Sequence, residues 1–504
     1  MSDGRQAPPQ APPQAPGSGR PRPAPIAEDR SLELDEAAMR SAVAAALDRA
    51  VAHIATLPEQ PAYVDTAAAV AASKSLVEPM PTSPTPLDDL LAELFDRHAA
   101  ASFTTAGPGY LAYIPGGGLF HAAIADLVAD AVNRYTGVLA AAPGFAQIER
   151  NVVRWFAEIV GYPAETGGFL TSGGSLANLG AIVAARVDRL GERFLDGTIY
   201  VSDQVHHCVS KAARIAGFPR ANLRVIPADE RFRMPVAAVE RAILEDRERG
   251  RRPFLLVASA GTTNSGAVDP LPALADLAAR HGLWYHVDAA YGGFFALTER
   301  GRAILAGIER ADSIVLDPHK GLFLPYGTGA LLVRDVATLE AAHSEHADYM
   351  PTLQDDPELV DPCEISPELS KPFRGLRVWL PFKMHGAGPF RRNLDEKLDL
   401  TRWIAERLRA LDGIEILAEP QLSTLAFAVE AGPGTGAGAA AEANRRTEEL
   451  LAAILRRGRV HLTATSLRGR FAIRICVLSF RTHLDRMEAC LEDIEAALAE
   501  TLAS

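Results

Sequence analysis

The sequence predicts an α/β protein whose middle stretch alternates strands and helices around a mostly parallel sheet. Three observations carry that prediction. Short apolar, β-branched runs recur between amphipathic helical stretches from Gly167 to Lys320. Nearly every such run ends in small or polar residues. Past Val378 the alternation gives way to helix-rich sequence with two further strand-like runs, which marks a smaller α+β region.

Composition supports a folded chain and narrows its partners. With 504 residues, 48% hydrophobic and 23% charged, the sequence can bury a sizeable core and suggests two or three domains. A net charge of −12 argues against nucleic acid, since phosphate binding needs concentrated Lys and Arg. The basic runs at Arg251 and Arg456 sit within mixed helical charge and read as solvated faces. No apolar run approaches the roughly 20 residues that span a bilayer, so no membrane partner is expected. Cys208, Cys363, Cys476 and Cys490 are scattered without ligand spacing, which predicts neither a disulfide framework nor a metal site and fits a cytoplasmic setting. Residues 1–28 are rich in Pro, Gln and Gly, lack the apolar centre of a signal peptide, and are expected to be a disordered tail.

Each element can be justified in order. Residues 29–119 are expected to form an N-terminal helical segment. In it, "SLELDEAAMRSAVAAALDRAVAHIATL" has apolar residues at helical spacing behind a possible Ser31 cap, and "TPLDDLLAELFDRHAA" is a second amphipathic helix. The Gly/Pro-rich "AGPGYLAYIPGGGLF" leads into a helix at "HAAIADLVADAVNRYTG" and is too decorated for a plain connection. Residues 120–384 hold the alternating region, with strands at "GGFLTSGG", "GTIYVSD", "RPFLLVASAGTT", "LWYHVDAAYGG" and "SIVLDPHK". Residues 385–504 form the smaller region, with strands at "TLAFAVE" and "RFAIRICVLSF" and a closing helix at "THLDRMEACLEDIEAALAETL". The insert "AGPGTGAGAAAEA" reads as a mobile loop.

In parallel sheets ligands bind beyond the carboxyl ends of the strands. Five strand ends would converge here: Ser172 to Ser175, Asp203 to His207, Gly261 to Thr263, Asp288, and His319-Lys320. Gly174 and Ser175 open a helix and could hold a phosphate on its free amides, although Ser175 could equally be an ordinary cap. Asp288 could be a turn carboxylate and His206 a structural histidine. Lys320 is either a surface residue or an amine whose pKa is pulled down by apolar surroundings. Taken together, a phosphate cradle, a flat ring, a buried carboxylate and a lysine meet the needs of one cofactor, pyridoxal 5′-phosphate.

At this point the sequence resembles the group II pyridoxal-phosphate decarboxylases, the family of aromatic-L-amino-acid, glutamate and diaminobutyrate decarboxylases. "YHVDAAYGG" with "DPHKGL" carries the resemblance, and "AYIPGGG", "AAAPGFAQIE", "TSGGSLANL", "VSDQVHH", "GTTNSGAVDP" and "FRGLRVWLPFKMHG" follow in the family's order. The resemblance implies a fold-type I enzyme with a seven-stranded, mostly parallel sheet in its large domain and a small C-terminal α+β domain. It implies a homodimer clasped by the N-terminal helices. It also implies that Lys320 forms the Schiff base with the cofactor, that Asp288 pairs with the pyridinium nitrogen, and that His206 stacks on the ring opposite Ala290. Gly174, Ser175 and His319 would reach the phosphate, Thr263 would lie near ring and substrate, and Gly375 would act across the dimer interface. Tyr349, in the polar stretch "HSEHADYMPTLQDDPELVDP", would return a proton to the α-carbon. The implied reaction is decarboxylation of an L-amino acid, aromatic or otherwise apolar, to the amine and carbon dioxide.

Three features depart from the pattern or leave alternatives. Asp317 stands where many aromatic-amino-acid decarboxylases carry Asn, and a carboxylate there would repel a phosphate. Tyr113 lies in an altered stretch and Val138 replaces a common aromatic, so the pocket wall is smaller. A transaminase or lyase of the same fold would use the same cofactor residues but hold the substrate carboxylate with an arginine such as Arg474. A non-catalytic binding protein would not need Lys320, Asp288 and His206 together.

Overall fold

The computed structural model describes residues 32–345, 360–431 and 437–503. Ser31, the cap suggested by sequence, lies outside them. The first described helix, Glu36–Ala55, is capped instead by Asp35, whose carboxylate accepts from the Ala38 amide at 2.7 Å. This helix buries none of its residues, and Met39, Val43, Leu47 and Val51 form an exposed stripe at every fourth position. The second amphipathic stretch is an α-helix over Leu87–Ala92 that continues as a π-turn over Glu93–Ala99.

Seven strands make the large sheet: β1 (Gly167–Thr171), β2 (Gly197–Ser202), β3 (Leu223–Ile226), β4 (Arg252–Ser259), β5 (Trp284–Asp288), β6 (Ser313–Leu316) and β7 (Gly329–Val333). Their order is β1-β7-β6-β5-β4-β2-β3, and β7 alone runs against its neighbours. The sequence reading placed five of these strands. It did not single out β3 and β7, which are only four and five residues long.

Strand residues alternate between two cores. In β4, Leu255 and Val257 pack on one side and Leu256 and Ala258 on the other; in β5, Trp284 joins the first side and Tyr285 and Val287 the second. The helix Gly174–Leu190 covers the first side with Ala177, Ala181, Ala184 and Ala185, small residues that let it sit close to the strands. The helix Pro143–Val160 covers the second with Val152, Val153, Phe156 and Val160. Burial on both faces explains why these strands read as unbroken apolar runs.

A second, antiparallel sheet has the order β10-β11-β9-β8, formed by β8 (Ile414–Ala418), β9 (Thr424–Val429), β10 (Thr463–Leu467) and β11 (Arg470–Cys476). The helix Gly388–Arg409 bridges the two units. Its Phe390 and Leu394 pack in the core of the large sheet, while Ile404 and Leu408 pack on the small one. The Gly- and Ala-rich insert is not a loop throughout. Residues 432–436 lie outside the described set, and from Ala437 its alanines begin the helix Ala437–Arg457, as their high helix propensity favours.

The decorated Gly/Pro segment is a strap between the two units. Leu111 donates to the His461 carbonyl at 3.1 Å and accepts from the Cys476 amide at 3.0 Å, so its backbone joins the small sheet. A Cβ at Gly109 would stand 2.2 Å from the Arg459 carbonyl oxygen, and one at Gly117 would stand 2.6 Å from Phe323, so only glycine allows this approach.

Tyr291, just past β5, makes the other tie. Its buried hydroxyl accepts from the Ser423 amide at 2.9 Å and from the Thr424 hydroxyl at 3.0 Å, and pairs with Ser423 Oγ at 2.9 Å. Tyr291→Phe would leave these groups buried without that partner and is expected to destabilise the protein by about 1–3 kcal/mol. The expected reading is a lower urea midpoint with an unchanged slope; an unchanged midpoint would refute the tie.

Candidate active site

All five predicted strand ends contribute to one cavity of about 270 Å³ at the carboxyl edge of the large sheet. Among its lining residues are Gly174, Ser175, His206, Thr263, Asp288, Ala290, His319 and Lys320, so eight of the ten sequence-predicted residues meet there. Gly375 does not line this cavity. It opens the helix Gly375–His385 and packs so closely that a Cβ would stand 3.1 Å from Glu149 Cα. Tyr349 lies outside the described residues.

The helix Gly174–Leu190 opens at the cavity. A Cβ at Gly174 would sit 3.0 Å from Asp317 Oδ2 and 3.2 Å from Ala290 Cβ, so the cradle exists because a side chain is missing. His206 caps the next helix, His207–Ile215. Its Nδ1 accepts from the Cys208 amide at 3.3 Å, which leaves Nε2 as the proton-bearing nitrogen. Burial lowers its pKa, which favours this neutral form.

Asp288 ends β5. Its Oδ2 accepts from Asn178 Nδ2 at 3.1 Å and its Oδ1 from the Ala290 amide at 3.2 Å. Lys320 lies in the short helix Pro318–Gly321 that follows β6, and its Nζ stands 2.8 Å from Asp317 Oδ2. The expected downward pKa shift is not what this geometry gives. Burial pulls the amine down, but the adjoining Asp317 carboxylate, with Asp288 beyond it, outweighs burial and holds the pKa above that of an ordinary lysine. His319 Nδ1 lies 2.6 Å from the Thr328 carbonyl and must donate to it, which turns Nε2 toward Asp317 at 3.6 Å.

Asp317 is thus a member of the site, buried as the partner of Lys320, and not a stray departure at its margin. Sequence reading also missed Asn178, Cys208, Ser259 and Tyr291, which line the same cavity. Asn178 had a signal, for it falls one helical turn after Gly174 and so faces the same way. Arg474 is buried elsewhere. It donates to the Asn264 carbonyl at 2.9 Å, Thr463 Oγ1 at 3.1 Å and the Tyr113 carbonyl at 3.2 Å, so it braces loops and does not line the cavity. Neither Tyr113 nor Val138 lines it.

These residues fit pyridoxal phosphate. An amine can take its aldehyde, a carboxylate acceptor suits its protonated ring nitrogen, and the glycine cradle at a helix N-terminus suits its phosphate.

Known proteins agree with this reading. The profile of the pyridoxal-dependent decarboxylase conserved domain matches residues 72–430. The chain is 33% identical to the aromatic-L-amino-acid decarboxylase of Bacillus atrophaeus, over 93% of this chain and 97% of that one. It is 34% identical to the cysteine sulfinic acid decarboxylase of Mus musculus over 61% of this chain and 64% of that one. The crystal structure of Oryza sativa TDC with PLP and tryptamine superposes with a TM-score of 0.86 at 27% identity, covering 93% of this chain and 99% of that one. By profile, relatives and fold together, this chain belongs to the pyridoxal-dependent decarboxylase family and its cofactor is pyridoxal phosphate.

Proposed function

We propose that this protein removes the α-carboxylate of an aromatic or otherwise apolar L-amino acid as carbon dioxide and releases the amine. The observation that carries the proposal is the Lys320, Asp288, Gly174 and His206 set around one cavity in a chain of this family. When bound, pyridoxal phosphate supplies an electron sink for the electron pair left on the α-carbon as carbon dioxide departs.

The chain's own residues do the rest. Lys320 Nζ tethers the cofactor through its aldehyde. Asp288 accepts a proton-mediated bond from the ring nitrogen and keeps the proton there. Gly174 and Ser175 hold the phosphate at the helix N-terminus, with His319 beside them. His206 and Ala290 would hold the ring between them, and Thr263 would lie toward the substrate. Tyr349 supplies the phenolic proton that the α-carbon takes up.

Substrate preference follows from what faces the cavity. Among the described residues, Lys320 is the only lysine in the lining and no arginine is present, so no second cation faces the cavity to pair with an acidic side chain. The Bacillus atrophaeus relative points to aromatic amino acids, and the Mus musculus relative to an acidic one. Arg474, the anchor a transaminase would need for a carboxylate, has its donors engaged by loop oxygens.

We also assign the protein to the cytoplasm as a homodimer. No helix among the described residues is long and apolar enough to cross a membrane, and the four cysteines are free thiols. The exposed stripe Met39, Val43, Leu47 and Val51, with Ile124, Leu127 and Val128 on the helix Phe120–Val132, offers apolar surface for a second copy. Gly375 is then assigned to the partner's phosphate site.

Carbon dioxide and amine release from a panel of L-amino acids tests the reaction; turnover of an acidic member alone would overturn the substrate class. Lys320→Ala is expected to abolish turnover and the cofactor-bearing peptide recovered after borohydride reduction; a retained peptide would refute the tether. Asp317→Asn removes the group that raises the Lys320 pKa, so the amine should shed its proton at lower pH. Reductive methylation of Lys320 in the cofactor-free protein, followed by peptide mass spectrometry, should move to lower pH; an unmoved profile would refute the pairing. Tyr349→Phe is expected to lower amine yield and raise oxygen uptake, and unchanged yields would remove Tyr349 from the reaction.

A further inference from the structure

Behind Asp288 lies a chain of side chains that the chemistry above does not use. Trp284, His286 and Asp288 are alternate residues of β5 and face the same side of the sheet, under the helix Gly174–Leu190. Ser313 opens the neighbouring strand β6 and pairs in register with His286. Trp284, His286, Ser313 and Asn178 are all buried. Trp284 Nε1 lies 2.8 Å from Ser313 Oγ, and Ser313 Oγ lies 2.7 Å from His286 Nδ1. His286 Nε2 lies 3.0 Å from Asn178 Oδ1, and Asn178 Nδ2 lies 3.1 Å from Asp288 Oδ2 and 2.9 Å from the Gly174 carbonyl.

Donor inventory fixes the direction of every bond. At one end the Asp288 carboxylate and the Gly174 carbonyl are acceptors, so Asn178 must present its NH₂ there and its Oδ1 to His286. His286 Nε2 must then donate. Burial lowers the pKa of this imidazole to about 4, against the opposing pull of Asp288 and of the Ser313 backbone, so the ring is neutral and its Nδ1 must accept. Ser313 therefore donates its hydroxyl proton to Nδ1. At the other end the indole of Trp284 can only donate, which is what Ser313 Oγ then needs. The Asn178 end sets this polarity, and the Trp284 end is compatible with it. The opposite tautomer, with Nδ1–H turned to the Ser313 carbonyl, would set Asn178 Oδ1 against the Gly174 carbonyl and the Asp288 carboxylate.

We propose that Trp284, Ser313, His286 and Asn178 form a one-directional hydrogen-bond chain that positions Asp288, presenting its carboxylate as an acceptor to the ring nitrogen of the cofactor. The proposal rests on the assignment of Asp288 made above. Because the second Asn178 proton holds the Gly174 carbonyl, the same amide also braces the helix end that takes the phosphate. One neutral side chain thereby sets the spacing between the two ends of the cofactor site. These four are positioning residues.

The tautomer can be read without the cofactor. In ¹⁵N-histidine-labelled, cofactor-free protein, the His286 resonance is assigned by its loss in His286→Gln. Protonated Nε2 with bare Nδ1 is expected, and protonated Nδ1 would overturn the chain. In the loaded enzyme, Ser313→Ala frees the ring and should lower kcat by roughly tenfold, by analogy with the residues that orient metal-bound histidines. The amino-acid KM should stay unchanged, and the visible spectrum of the bound cofactor should shift. Ser313→Thr keeps the hydroxyl and should restore both kcat and spectrum. An unchanged kcat and spectrum in Ser313→Ala would overturn the positioning role. Failure of the wild-type protein to take up pyridoxal phosphate would sink the reading of the site itself, and the tautomer measurement separates that failure from this one.

Discussion

Burial of the large sheet on both faces is the constraint on which the rest of the molecule depends. Strand residues of β4 and β5 alternate between two dry cores, and an unpaired charge in either would cost several kcal/mol. Ionisable groups therefore collect where strands end and helices have yet to close over them. Asp288, Asp317 and Lys320 stand at those ends, and all three line the same cavity. Catalytic chemistry sits at the carboxyl edge because the interior admits it nowhere else without compensation.

Within the cavity the charges are divided by partner. Asp317 is committed to Lys320 by a 2.8 Å ion pair, while among the described residues the hydrogen bonds to Asp288 come from neutral donors, Asn178 and the Ala290 amide. One carboxylate thus serves the amine and the other remains available to a cation brought in from outside. His206 and His319 add rings without adding charge, since burial lowers both pKa values. The expectation that Asp317 would disturb a phosphate treated it as an isolated charge. In the cofactor-free chain it is instead the partner of Lys320, at 2.8 Å.

Much of this was legible in the sequence. The strand-helix rhythm and the five converging strand ends follow from local pattern, because parallel strands buried on both faces leave unbroken apolar runs that end in polar residues, while Ala290 and the parts given to Thr263 and His319 came from the family resemblance. What escaped was non-local. The strands β3 and β7 were not singled out, and β7 finds its place only by pairing backwards between β6 and β1. From its neighbours in sequence Lys320 reads as either a surface residue or an amine with a lowered pKa, yet Asp317, one helical turn away, reverses the sign. The roles of Tyr291 and Arg474 depend on partners more than a hundred residues distant, which no local spacing announces.

His286 shows the same limit in its sharpest form. In "YHVD" it reads as a polar interruption of an apolar strand, and local pattern assigns it no purpose. Its meaning comes from Asn178 on a helix 108 positions earlier and Ser313 on the next strand. A carboxylate in its place would set a second negative charge beside Asp288, and an apolar residue would leave Asn178 Oδ1 without a donor. A lysine would carry a charge that this dry layer cannot hydrate. Neutral imidazole offers one donor and one acceptor on separate ring nitrogens with no net charge, so it can link Asn178 on one side to Ser313 on the other. Under two-sided burial, a group that conveys direction without charge is what the core can accept behind the Asp288 carboxylate.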